Sequence, residues 1–148
     1  MSSIRGFWVS ERPERHSRGL LDTNVIVHLP RVDPGELPIE TAISSITLAE
    51  LTAGPHATDD PVERAVRIGR LQRVEAAYDP LPFDAEAARH YGPVYAAGLA
   101  ANRTPRRRLA DLLIACVAIA NDLPLYTINP GDFTGLEHLL QVAPVTRP

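Results

Sequence analysis

Residues 20–27, which read Leu-Leu-Asp-Thr-Asn-Val-Ile-Val, are the most informative stretch of the sequence about its fold. An apolar pair that runs into a polar triplet is typical of a short buried strand, here ending at Asp22 or Thr23. The apolar residues from Val25 onward predict a helix that stops near Pro30, because proline cannot continue a helix. The carboxylate of Asp22 is therefore expected at the end of a buried strand, where an uncompensated charge is costly.

Outside this stretch, short strands alternate with helices along the chain. The other predicted strands cover residues 42–46, 123–128 and 141–145, and the other predicted helices cover residues 48–53, 59–78, 84–101 and 106–121. Thr47 and Glu50 have the spacing of a capping box for the helix over 48–53, and a kink is expected at Gly92-Pro93. Strands separated by helices predict an α/β fold, a three-layer α/β/α sandwich with a mostly parallel central sheet.

The composition fits one globular domain. The 148 residues are 45% hydrophobic and 22% charged, which suits a single core. We interpret residues 1–19, which are mostly polar, as a flexible N-terminal extension and residues 20–148 as the domain. The single cysteine, Cys116, excludes an internal disulfide and a cysteine-based metal cluster. Because no apolar run approaches the ~20 residues that span a bilayer and residues 1–10 lack the continuous apolar stretch of a secretory signal, a cytoplasmic protein without membrane attachment is expected.

The overall charge does not by itself indicate a nucleic-acid partner. The formal net charge is −3, and all fifteen basic residues are arginine. A nucleic-acid-binding domain is typically more basic, and the absence of lysine indicates a GC-rich genome more than a selected chemistry. Any contact between a basic side chain and a phosphate must therefore come from arginine.

Three acidic residues lie where a buried charge needs a partner. Asp22 follows a strand, Glu50 lies on a short helix directly after a strand, and Asp111 lies in the most apolar helix. A fourth acid, Asp132, follows the strand predicted over 123–128. Functional side chains of open α/β sheets gather beyond the carboxyl ends of the strands. A cluster of carboxylates there suits Mg²⁺ or Mn²⁺, which prefer oxygen ligands.

Each of these acids also has a purely structural interpretation. Asp22 could act only as a helix cap, and Glu50 could only complete the capping box. Asp111 could pair with a neighbouring arginine in the first turn of its helix, and Asp132 could be a turn residue. The occurrence of all four at the ends of predicted elements favours a shared site over four separate roles.

Four ordered motifs carry a resemblance to a known family. They are Leu-Leu-Asp-Thr-Asn-Val-Ile-Val at residues 20–27, Ile-Thr-Leu-Ala-Glu-Leu at 46–51, Leu-Ala-Asp-Leu-Leu-Ile-Ala at 109–115 and Tyr-Thr-Ile-Asn-Pro-Gly-Asp-Phe at 126–133. Over residues 20–145 the chain resembles the PIN-domain ribonucleases, and more closely the VapC toxins of bacterial toxin–antitoxin pairs. The resemblance implies the PIN fold and a Mg²⁺-dependent endoribonuclease activity.

The resemblance also assigns roles to individual residues. It makes Asp22, Glu50 and Asp111 the metal-binding catalytic carboxylates, and Asp132 matches the fourth acid of the family. Asn129 stands where many relatives have aspartate. The residues implied to orient the carboxylates and the attacking water are Asn24, Thr127 and Asn129.

The implied reaction is hydrolysis of an RNA phosphodiester bond by a metal-activated water, leaving 5′-phosphate and 3′-hydroxyl ends. Because the site itself is acidic, an adjacent arginine cluster is expected to grip the RNA backbone, with a solvated helix start as its structural alternative. The members of this cluster are Arg103, Arg106, Arg107 and Arg108. The resemblance further implies a VapB-like antitoxin that inhibits the enzyme, and the helix over 85–101 is a candidate homodimer face.

Two other functions stay open on the sequence alone. A catalytically weak PIN-like module that binds RNA or protein is compatible with Asn129 in place of an acid. A phosphatase that uses Asp22 as a covalent nucleophile would be expected to carry a second acid two residues later, where this sequence has Asn24. Cleavage of RNA, as opposed to release of phosphate from a simple monoester, separates the ribonuclease from the phosphatase.

Overall fold

The computed structural model describes residues 15–102, 104 and 106–148, and their strands form one sheet. The strands are β1 (Arg18–Leu21), β2 (Glu40–Ala42), β3 (Leu125–Thr127) and β4 (Val142–Pro144). Their spatial order is β2-β1-β3-β4, and each neighbouring pair is parallel. The predicted parallel sheet is confirmed, and its strands have their carboxyl ends at one edge.

Helices cover both faces of this sheet. In the described part of the chain they are α1 (Thr23–His28), α2 (Ser45–Ala53), α3 (Pro61–Ala77), α4 (Ala85–Arg89), α5 (Tyr91–Ala100) and α6 (Leu109–Ala120). Adjacent strand residues point to opposite faces, so Leu20 packs into a core under α4, α5 and α6, whereas Leu21 packs into a second core under α1, α2 and α3. The three-layer α/β/α sandwich is therefore confirmed. None of the helices described is long and apolar enough to cross a bilayer.

The most deeply buried helix is α6, as its apolar sequence predicts. Leu112 and the five residues from Ile114 to Ala118 are all buried. The helix begins at Leu109, three residues later than expected, because residues 106–108 form a turn. A helix that began at Arg106 would add a run of positive charges to the positive end of the helix dipole, which is unfavourable. The helix has instead an acid, Asp111, in its first turn.

The start of α2 differs from the predicted capping box. Ser44 has an extended backbone, and its hydroxyl oxygen accepts the N–H of Thr47 at 3.1 Å. Ser44, not Thr47, is therefore the N-cap, and the preceding strand ends at Ala42 instead of continuing to residue 46. Glu50 then lies too far from the helix start to close a capping box, so its carboxylate is directed to another partner.

The helix predicted over residues 84–101 is two helices. Asp84 caps α4 as expected, but the break falls at His90 and not at Gly92-Pro93. Pro93 lies in the first turn of α5, where its missing N–H removes no helical hydrogen bond. In an unbroken helix its ring would meet the carbonyl group of Arg89, four residues earlier, so the chain breaks just before it.

Residues 15–19, which the sequence analysis assigned to the extension, contact the domain. The guanidinium group of Arg15 donates to three backbone carbonyl groups of the loop at 34–38. β1 begins at Arg18, which pairs in register with Glu40 of β2. The rest of the expected extension, residues 1–14, lies outside the described residues.

Candidate active site

The four predicted acids come together at the carboxyl-terminal edge of the sheet. Asp22 follows β1 and caps α1, and Asp132 lies in the 3₁₀ turn Pro130–Phe133 after β3. Glu50 lies on α2 and Asp111 on the first turn of α6. After burial, which is the largest cause, the negative charges of the other three acids raise the pKa of Asp111, and those of Glu50 and Asp132 raise the pKa of Asp22. These acids therefore form one electrostatic cluster.

Asp22 is a buried carboxylate held in one orientation. Only 3% of the residue is exposed. Its Oδ1 accepts the backbone N–H of Thr23 at 2.8 Å, and its Oδ2 accepts the hydroxyl of Thr127 at 2.8 Å. Burial outweighs both hydrogen bonds and raises the pKa of Asp22 to about 6. Asp22 is thus a helix cap and, at the same time, a buried acid that would be stabilised by a nearby cation.

The hydroxyl group of Thr127 organises the surroundings of Asp22. It accepts the side-chain amide N–H of Asn24 at 3.2 Å and the backbone N–H of Asn129 at 3.1 Å. With both lone pairs engaged, its own proton is directed to Asp22. Asn24 is fixed in turn, because its Oδ1 accepts the backbone N–H of Ile128 at 3.3 Å. Asn24 and Thr127 therefore have the geometry of orienting residues.

Asn129 joins this network through its backbone N–H, which donates to Thr127. Its side-chain oxygen instead accepts a guanidinium N–H of Arg147 at 2.7 Å. The side chain of Asn129 therefore contacts the C-terminal segment. The acid that the turn after β3 contributes to the cluster is Asp132.

Glu50 is positioned by the hydroxyl groups of Thr23 and Thr47, for which the sequence analysis predicted no role at the site. The hydroxyl of Thr23 donates to Glu50 Oε1 at 2.6 Å and lies 2.9 Å from the hydroxyl of Thr47. Because the proton of Thr23 is used on Glu50, Thr47 donates to Thr23, and Ser44 lies behind Thr47 at 3.4 Å. The available signal was the threonine that follows Asp22 and the threonine three residues before Glu50.

Asp111 has the most perturbed carboxyl group of the cluster. Burial, followed by repulsion from Asp22 and Asp132, raises its pKa to about 7, against the opposing attraction of Arg108. That attraction acts over 3.8 Å, from Arg108 Nη1 to Asp111 Oδ2. The structural alternative, a simple ion pair in the first helical turn, is therefore present but does not neutralise the cluster.

The predicted arginine cluster divides into residues with different surroundings. Arg106 and Arg107 are exposed. Arg108 turns inward, and its Nη1 lies 2.5 Å from Asp132 Oδ1. Arg103 lies outside the described residues. Only the side chains of Arg106 and Arg107 thus have the exposure that a backbone-gripping role requires among the described members.

Comparison with known proteins shows the family of this chain. A PIN-domain family model matches residues 19–130. The chain belongs to the PIN-domain family. Ribonuclease VapC5 of Mycobacterium tuberculosis (strain ATCC 25618 / H37Rv) is 34% identical over 122 residues, which cover 80% of this chain and 87% of that protein. Ribonuclease VapC of Rickettsia bellii (strain RML369-C) is 27% identical over 131 residues, covering 81% and 91%.

Solved structures agree with this PIN-domain assignment. A crystal structure of VapBC-5 from Mycobacterium tuberculosis, a member of the VapBC family of toxin–antitoxin systems, matches with a TM-score of 0.75 and 32% identity. The match covers 88% of this chain and 99% of that chain. VapBC-1 from nontypeable Haemophilus influenzae matches with a TM-score of 0.67 and 25% identity, covering 86% and 97%. The PIN-domain resemblance drawn from the four motifs is therefore confirmed.

The donor chemistry of this PIN-domain cluster fits a hard divalent cation. The four acids offer only carboxylate oxygens, and Asp22 and Asp111 both have raised pKa values that a nearby positive charge would lower. Among the described residues, no three His, Cys, Asp or Glu side chains are close enough together to hold a metal as they stand. A bound cation would offset the repulsion among the acids and so favour a closer arrangement.

Proposed function

We propose that the chain is a VapC-type endoribonuclease toxin that depends on Mg²⁺ or Mn²⁺. The observation that carries the proposal is that the buried Asp22 and the partly buried Asp111 are coupled electrostatically to two further acids at the carboxyl edge of the sheet. A divalent cation bound among these acids would relieve their repulsion. The ribonuclease names of the two VapC relatives support the choice of RNA as the substrate.

The residues of the cluster would divide the work. Asp22, Glu50, Asp111 and Asp132 would hold the ion, which when bound lowers the pKa of a water molecule and neutralises charge on the scissile phosphate. Thr127 holds Asp22 in one orientation, and Thr23 does the same for Glu50. Arg106 and Arg107 are exposed, and in this proposal they would contact the RNA backbone.

Isosteric variants of the acids test this proposal. Asp22→Asn and Glu50→Gln should each abolish cleavage of RNA while leaving the circular dichroism spectrum unchanged. The matched control is Glu75→Gln, which removes one negative charge from an exposed position on α3 and should cleave at the rate of the unaltered protein. EDTA should stop cleavage, and Mg²⁺ or Mn²⁺ should restore it. Robust cleavage in EDTA would refute the metal-dependent reaction, and binding of RNA without cleavage would favour the non-catalytic module.

We further propose a VapB-like antitoxin as the partner, because several solved structures that match this chain are VapBC toxin–antitoxin complexes. An antitoxin segment that places an Arg or Lys near Asp22 and Asp111 would oppose metal binding by charge. A toxin homodimer through α5 is part of the same proposal, since Tyr95 and Leu99 of that helix are 41% and 49% exposed.

Co-expression with a VapB-like protein encoded by a small open reading frame adjoining the gene tests the partner. The two proteins should co-purify, and the complex should cleave RNA far more slowly than the chain alone. Failure to co-purify, or undiminished cleavage by the complex, would refute the toxin assignment even where the nuclease activity is retained. Light scattering of the chain alone measures whether it is a dimer, and Leu99→Asp should make it a monomer.

A further inference from the structure

One nitrogen atom of Arg108 joins two of the candidate metal ligands. Its Nη1 lies 2.5 Å from Asp132 Oδ1 and 3.8 Å from Asp111 Oδ2. The two acids belong to different elements, the turn after β3 and the first turn of α6. The side chains of Arg108, Asp111 and Asp132 are 35%, 26% and 27% exposed, so solvent screens their attraction only in part. A single internal cation therefore spans the gap between two of the acids.

The position of Arg108 is not explained by the helix that it precedes. Arg108 occupies the N-cap of α6 and makes no side-chain capping hydrogen bond. A positive charge at this end of a helix opposes the helix dipole. Arg106 and Arg107, in the same turn, are exposed and form no ion pair within the described part of the chain. The attraction that holds Arg108 inward thus comes from the acids.

We propose that Arg108 is an internal counter-ion that competes with the divalent cation for Asp132 and Asp111. The inference rests on the proposed function, since it concerns the ion that the same acids would hold. While Arg108 is paired, Asp132 is engaged with the guanidinium group and the described acids are not assembled around one point. Binding of the metal and pairing of Arg108 are then alternative states of one cluster.

The role of Arg108 determines the direction in which metal affinity changes when its charge is removed. If Arg108 competes with the metal, removing its charge makes the cluster more negative and strengthens metal binding. If Arg108 instead holds Asp132 in the position from which it binds the metal, removing it weakens metal binding. The direction of the change in affinity therefore distinguishes competition from positioning.

Isothermal titration of Mn²⁺ into the full chain, stripped of metal, measures this direction. Arg108→Gln should bind Mn²⁺ about three- to tenfold more tightly than the unaltered protein, the range expected for losing a partly screened charge pair. Arg107→Gln removes the same charge one residue earlier, from an exposed position, and should change the affinity less than about twofold. Arg108→Lys keeps the charge, and its Mn²⁺ affinity should lie between those of Arg108→Gln and Arg107→Gln. Equal or weaker binding by Arg108→Gln would overturn the proposal.

A double-mutant cycle locates the effect on Asp132. In an Asp132→Asn background, Arg108→Gln should change the Mn²⁺ affinity by a smaller factor than in the unaltered protein, because the closest contact is already lost. An equal factor in both backgrounds would overturn the role of Asp132. The Mn²⁺-induced rise in Tm gives a second readout, and circular dichroism checks that each variant is folded.

The outcomes also separate this inference from the function on which it rests. An unaltered protein that binds no Mn²⁺ and cleaves no RNA would refute both. An unaltered protein that binds Mn²⁺ and cleaves RNA only in its presence, combined with an Arg108→Gln variant of unchanged affinity, would retain the function and overturn the internal counter-ion.

Discussion

Replacing Asp111 by asparagine is expected to stabilise the metal-free protein at pH 8 while abolishing its cleavage of RNA. The folded chain holds Asp111 partly buried and close to the negative charges of Asp22, Asp132 and Glu50. Asparagine has nearly the same shape and no charge, so it removes the repulsion. The substitution also removes the weak attraction between Asp111 and Arg108 across 3.8 Å.

The magnitude follows from the pKa of Asp111, which rises from 3.8 to about 7 on folding. Each pKa unit corresponds to about 1.4 kcal/mol, so the ionised group destabilises the folded state by at most about 4 kcal/mol. Partial exposure of the side chain and the lost attraction to Arg108 reduce the gain from Asp111→Asn to about 2 kcal/mol. The folded state binds the proton of Asp111 more tightly than the unfolded state does. The contribution of this protonation to the free energy of unfolding is therefore fully present below pH 4 and is lost as the pH rises to about 7.

Urea unfolding in EDTA, followed by circular dichroism at pH 4 and pH 8, is the assay. Asp111→Asn should exceed the unaltered protein by about 2 kcal/mol at pH 8 and by much less at pH 4. The exposed control Glu75→Gln should show no such difference. Excess Mg²⁺ should stabilise the unaltered protein more than the variant. A variant that is no more stable at pH 8, or a gain that is equal at both pH values, would refute the electrostatic reasoning.

Three further changes test the surroundings of the site. Thr127→Val removes the hydroxyl that donates to Asp22 and should lower RNA cleavage at limiting Mg²⁺ about 10- to 100-fold, with partial recovery at high Mg²⁺ in a metal titration. Ser44→Ala removes the cap of α2 and should lower the free energy of unfolding by about 1 kcal/mol in a urea titration. The double change Arg106→Gln and Arg107→Gln should weaken RNA binding and reduce by about two the slope of log affinity against log salt in fluorescence anisotropy, if both arginines contact phosphates.

The architecture and the four acids were predictable because they depend on local patterns. Short apolar runs that alternate with helical periodicities identify a parallel sheet. In such a sheet the ends of β1 and β3 lie at the same edge, so Asp22 and Asp132 are brought together by topology alone. Asp111 was predictable because it is the one acid within α6, a helix with little polar surface.

The predictions that were wrong concern places where neighbouring residues compete for one structural role. A sequence pattern does not show which of the competing residues takes that role. Ser44 and Thr47 are both good caps, and Ser44 is used because the strand ends at Ala42. The break at His90 depends on where the ring of Pro93 meets an earlier carbonyl group. The inward turn of Arg108 depends on the distance to Asp132, which lies 24 residues away in the sequence.

The four acids at the sheet edge carry a negative charge that different cations can compensate. The fold keeps Asp22 and Asp111 in an environment that raises both pKa values, and this lowers the stability of the folded state at neutral pH. Arg108 compensates part of the charge from within the chain. A divalent ion would compensate more of it, because its charge is larger and its oxygen ligands can surround it. An inhibitor that inserts a basic side chain would compensate the same negative charge. Activity and inhibition would then depend on which cation the acids hold, so the repulsion among these acids is the feature that makes the site controllable.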